Sequence, residues 1–165
     1  MGSITPSADL YDRMAETSKA FVMSHLESYL AKDTSILSRD LTPDAHRRVG
    51  PVTFEQRFRP QGWSNAEYEE TLTTKFAAFK GMKLEINDVT VDTKKLRSTV
   101  HSSHVWTQST KGEIWDWPME FIWILDLTKE GDKVTKILEF VDTHNAMTFG
   151  GKIKAGEIDG HAAKH

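Results

Sequence analysis

Near Gly81 the hydrophobic period of this chain changes from about 3.6 residues to two. This change limits the possible folds more than any other feature. Beyond it, Leu84 and Ile86, then Val89 and Val91, alternate with polar residues, with an irregularity expected at Asn87-Asp88. Arg97 to Thr107, Ile114 to Leu127 and Val134 to Asp142 read as three further strands, and Lys129-Glu130-Gly131-Asp132 as a hairpin turn. Before it, Leu10, Met14, Phe21, Val22, His25, Leu26, Tyr29 and Leu30 fall on one stripe of a helix from Asp9 to Ala31, with Asp9 as N-cap. A short helical piece over Thr34 to Arg39 leads into a turn at Leu41-Thr42-Pro43-Asp44, and 46–62 reads as irregular. Ser64-Asn65-Ala66-Glu67 is a capping box opening a helix striped by Tyr68, Leu72, Phe76 and Phe79 and ended by Gly81.

Helices followed by a long antiparallel meander make an α+β fold. The expected form is a cone-shaped barrel: a curved antiparallel sheet packed on N-terminal helices, with an open-mouthed interior suited to a small ligand. At 165 residues there is room for one domain. It is expected over 9–149, between a flexible N-terminus at 1–8 and a flexible tail at 150–165.

Composition narrows the partners. A net charge of −3 with scattered Lys and Arg argues against nucleic acid. The absence of cysteine removes disulfides, thiolate nucleophiles and Cys-type metal sites. The longest apolar run, Phe121 to Leu125, is far short of a membrane span, and no signal pattern is visible, so a cytoplasmic location is expected. The histidine spacing matches no metal motif, and no metal site is expected.

Several segments resemble the SnoaL-like branch of the NTF2-like superfamily, over roughly residues 10 to 145. Lys133 to Asp142 is similar to its final strand, "GDKxxxIxEFxD" after a tight hairpin. Leu41-Thr42-Pro43-Asp44-Ala45-His46 resembles the "TPDxH" stretch of members from fungal secondary metabolism, and Val100-His101-Ser102-Ser103 their "VHAKS" strand. Glu120-Phe121-Ile122 is similar to their "NEY" segment, with Met119 in place of Asn. The resemblance implies a cofactor-free enzyme: an isomerase or cyclase acting on a polyketide- or terpenoid-derived ring system. A scytalone-type dehydratase and a non-catalytic binding or scaffold domain are the alternatives. Trp115, Asp116, Trp117 and Pro118 depart from the family pattern, so the pocket lining is individual.

Such chemistry needs a base, an acid and a donor for developing oxyanion charge. Asp142 and Glu120 lie on neighbouring strands within apolar sequence, where burial would disfavour the charged form. They are candidate catalytic carboxylates; for Asp142, capping a strand end or pairing with Arg47 is the structural alternative. His46 and His101 are candidate proton carriers through their place in the matched segments. His101 and His104 have opposite parity, so one at most faces inward; the resemblance favours His101 and leaves His104 at the surface. Trp63, Tyr68, Phe76, Trp115, Trp117 and Arg47 are candidate substrate-binding residues, Trp63 as part of a lid. For the tryptophans, core packing or a dimer interface is the alternative. A small polycyclic substrate and a homodimer through the outer sheet face are the expected partners. His161 and His165 belong to the tail and read as solvated.

Overall fold

Three serines, one methionine, one phenylalanine, one valine and one histidine shape the inner face of the first helix, α1 (Pro6–Ala31). Met14, Phe21, Val22 and His25 are buried as the stripe predicts, but so are Ser18, Ser24 and Ser28. These small side chains let α1 approach the sheet closely, and Ser18 meets Ser98 of the sheet hydroxyl to hydroxyl at 2.6 Å. Leu30, placed on the stripe by spacing, is 68% exposed. Asp9 is not the N-cap: the helix starts earlier, and Asp9 pairs with Arg13 one turn on, at 3.1 Å. The computed structural model describes residues 6–158; His161, His165 and residues 1–5 of the expected flexible start lie outside them.

A 3-10 turn over Thr34–Ser38, capped by Asp33, buries Leu37. The expected turn at Leu41 to Asp44 and much of the irregular segment are instead a strand, β1 (Leu41–Gly50). Its inward slots hold Ala45, Arg47 and Val49, so a small residue and a cation interrupt the apolar alternation that would have disclosed it. The next seven residues form α2 (Val52–Phe58), where Glu55 holds Arg48 at 2.6 Å through two hydrogen bonds. The capping box at Ser64 and Glu67 opens α3 (Asn65–Phe76) as expected. That helix stops at Phe76, and Gly81 begins a strand rather than ending the helix.

The meander is β2 (Gly81–Asp92), β3 (Arg97–Thr110), β4 (Glu113–Leu127) and β5 (Val134–Val141). Its pairing is antiparallel throughout, with a bulge between Ile86 and Asp88 where the irregularity was expected. β1 adds to the far edge parallel to β5, so the order is β1-β5-β4-β3-β2 and the sheet is mixed rather than wholly antiparallel. The sheet is curved but unclosed, and α1 packs across β2 and β3. The β4–β5 hairpin abuts α1 at Gly131, whose φ is +73°; a Cβ there would lie 2.8 Å from Met14 Cγ, so only glycine fits.

The expected flexible tail is helical over its first residues. From Thr143 to Lys154 the chain forms α4, which buries Phe149 against Phe79, Trp106 and Trp117. Ile158 beyond it is also in the core. Two apolar anchors separated by polar and glycine positions left too faint a stripe to read.

Candidate functional site

The inward row of β4 supplies Phe121, Trp123 and Leu125, and that of β3 supplies Val100, Ser102, His104 and Trp106. Among these apolar groups one carboxylate points inward from β5: Glu139, only 7% exposed. The parallel register places Val49 opposite it and Arg47 one inward slot away on β1. Arg47 Nη1 donates to Glu139 Oε2 at 3.2 Å, and the guanidinium lies 3.4 Å from the centroid of the Tyr68 ring. The Tyr68 hydroxyl donates to the same carboxylate oxygen at 3.5 Å. A strap secures Arg47 from the other side: its N–H and C=O pair with Trp63 O and N at 3.0 and 2.9 Å. Gly62 makes this approach possible, since a Cβ there would sit 2.3 Å from Arg47 O.

Two imidazoles complete the set. His25 from α1 donates through Nδ1 to Val22 O at 3.1 Å, leaving Nε2 free to accept from Arg47 Nη1 at 3.4 Å. On β3, the Ser102 hydroxyl accepts from Trp123 Nε1 at 2.9 Å and so has its own proton to give to His104 Nε2, at 3.1 Å. Burial, reinforced by Arg47, holds His25 well below the usual imidazole range. Burial, reinforced by Lys75, brings His104 down to about 3, so both rings are neutral at pH 7. Desolvation likewise raises the Tyr68 phenol, which stays protonated, and lowers the Lys75 ammonium.

These groups border a partly open hollow with two chambers, of about 190 and 20 Å³. Tyr68, Leu72, Lys75, Trp106, Phe121 and Glu139 line both. Trp63, Val49, Phe54 and Phe149 close the larger one, while His25, His104, Phe76 and Met82 close the smaller. An aromatic wall with one carboxylate, one phenol and neutral imidazoles can bind a flat ring system and move a proton without bulk water. Among the described residues no group of three or more potential ligands is placed to hold a metal, and no helix is long and apolar enough to cross a membrane.

The expected site residues divide. Tyr68, Phe76 and Trp63 line the hollow, and Arg47 lies behind it, against Glu139 and the Tyr68 ring. Trp115 and Trp117 do not: they pack edge to face at 5.0 Å, and Trp117 lies against Phe149 under α4. Asp142 is the N-cap of α4, accepting from Asn145 N at 3.1 Å. His46 is exposed and meets Gln61 O at 3.0 Å. His101 and Glu120 pair at 2.5 Å on the outer sheet face, so the facing assigned to His101 and His104 is reversed. With Ile122, Phe140 and Asp142 they border an open groove of about 440 Å³. Sequence reasoning missed Glu139, His104 and Lys75. A lone carboxylate in the apolar run Ile137 to Val141 was the available signal for Glu139. For His104 it was strand parity, since Val100, Trp106 and His104 are all even-numbered.

Comparison with solved structures gives the architecture a precedent. BvnE pinacolase from Penicillium brevicompactum superposes with a TM-score of 0.74 at 16% identity, over 89% of this chain and 98% of that one. The fold is that of SnoaL-like proteins. PrhC from Penicillium brasilianum gives 0.73 at 16% identity, over 89% and 91%. A putative SnoaL-like polyketide cyclase from Jannaschia gives 0.59 at 12%, over 90% and 96%. No protein-family model and no curated protein sequence matches the chain.

Proposed function

We propose that this protein is a cofactor-independent isomerase or cyclase that acts on a polyketide- or terpenoid-derived ring compound by general acid–base catalysis in the aromatic hollow. The observation that carries the reading is Glu139: a carboxylate fixed between Arg47 and Tyr68 in an aromatic cavity that a ligand can share. A buried carboxylate that is only a structural partner would not need to line both chambers. In the proposed step Glu139 takes a proton from a carbon between a carbonyl and an alkene; the C–H pair becomes the new C=C bond of a dienolate and the C=O π pair moves onto oxygen. Return of the proton to a different carbon gives an isomer with no change in atoms. Tyr68, held protonated, donates a hydrogen bond during the transfer. The shared fold with a pinacolase and a putative polyketide cyclase supports this class of chemistry.

The outer groove is a second reading, favoured by the short His101–Glu120 contact beside Asp142. Deuterium incorporation into 2-tetralone in D₂O, followed by NMR, separates the two. Enzyme-dependent exchange lost in Glu139→Gln and kept in Glu120→Gln supports the hollow. The reverse pattern moves the chemistry to the outer face. A dehydratase would instead release a product lighter by one water, and a binding domain would catalyse nothing.

A further inference from the structure

We propose that the hollow takes a ligand bearing one negative charge, a carboxylate, phenolate or enolate on an aromatic or conjugated ring, with the Lys75 ammonium as its counter-ion. This rests on the reading of the hollow as the functional site and specifies its substrate class.

A count of charge in the cavity leads there. Arg47 and Glu139 offset each other at 3.2 Å, and the two imidazoles are neutral, with both nitrogens of His25 on Val22 and Arg47 and Nε2 of His104 on Ser102. Lys75 is left over. It stands in the last turn of α3, borders both chambers, and forms no ion pair among the described residues. Its Nζ instead lies 4.2 Å from the centroid of the Trp106 ring. Glu139 attracts it only at a distance, and no other carboxylate lines either chamber. An ammonium withdrawn from water is stabilised by an aromatic face far less than by an anion. The charged form of Lys75 therefore lacks a counter-ion beside apolar walls, the arrangement in which an anionic ring is preferred over its neutral isostere. If Lys75 served only to extend its stem over Trp106 toward water, the hollow would bind both equally well.

Saturation-transfer NMR titration with 2-naphthoate and 2-naphthamide at pH 7 tests this. The wild type should bind the carboxylate at least about tenfold more tightly, the scale of a hydrogen bond to a charged group. Lys75→Gln should bring the ratio to about one, and Lys75→Arg should keep the preference. Equal binding of both probes by the wild type overturns the charge assignment and leaves the hollow as a binding site. So does a preference that survives in Lys75→Gln. The comparison within the wild type needs no variant to fold. If neither probe binds, the hollow itself fails as the functional site, and this inference with it.

Discussion

Replacing Glu139 by Gln tests the energetics on which the site depends. The side chains of Arg47 and Glu139 are 3% and 10% exposed, so the variant leaves a guanidinium buried without its counter-charge. Breaking a buried pair from one side costs roughly 3–5 kcal/mol. Here the lower end applies, because the contact is a single hydrogen bond at 3.2 Å and Arg47 keeps its stack on Tyr68 at 3.4 Å. A loss of about 3 kcal/mol in a domain of this size lowers Tm by about 6–12 °C. Thermal melts followed by circular dichroism, with urea titration for the free energy, measure it. The double variant Arg47→Met with Glu139→Leu removes both charges and should recover much of the loss, since apolar groups of similar volume replace such pairs at little cost. A single-variant cost under about 1 kcal/mol, or a double variant no better than the sum of the two single changes, would refute the reasoning. Glu139 would then not be acting as a desolvated partner of Arg47.

Acid should destabilise the fold well above the carboxylate range. His104 is depressed to about 3 and His25 is well below its usual value, whereas both titrate near 6.5 when unfolded. Their contribution is therefore complete above pH 6.5 and is lost as pH falls toward the folded values. For His104 the slope is about 1.4 kcal/mol per pH unit, or about 3 kcal/mol by pH 4.5, and His25 adds to it in the same direction. Urea midpoints at pH 7, 6 and 5 check this; His104→Gln should make the slope shallower, and a flat wild-type profile would contradict it. Phe149→Ala should cost about 3–5 kcal/mol through the cavity left among Phe79, Trp106 and Trp117, whereas a loosely attached α4 would tolerate it. Ser64→Ala removes the side-chain half of the capping box on α3 and should cost about 1 kcal/mol in the same titration.

Local chemistry and periodicity made much of the fold legible. The capping box, the bulge near Asn87, the β4–β5 hairpin and the two long inner strands all follow from spacing that any neighbouring structure would leave in place. β1 and α4 were hidden for a common reason: their inward positions are few and include Ala45, Arg47 and Ala146, so neither shows an apolar rhythm of its own. β1 is a strand because β5 offers it a parallel edge, and α4 is fixed by Phe149 and Ile158 reaching a core already formed.

The candidate site divides along the same line. From the residues alone came the class of interior, an aromatic hollow in an α+β cone, together with Tyr68, Trp63 and Phe76 as parts of its lining and Arg47 just behind it. Which ionisable groups share it was decided only by tertiary structure. A shift of one residue in a strand exchanges the two faces, and motif similarity chose His101 where the register of β3 turns His104 inward. The same register put Glu120 in water and left Glu139 dry. Alternation is a local property of the chain; which of the two faces becomes the interior is settled by the helices that cover it.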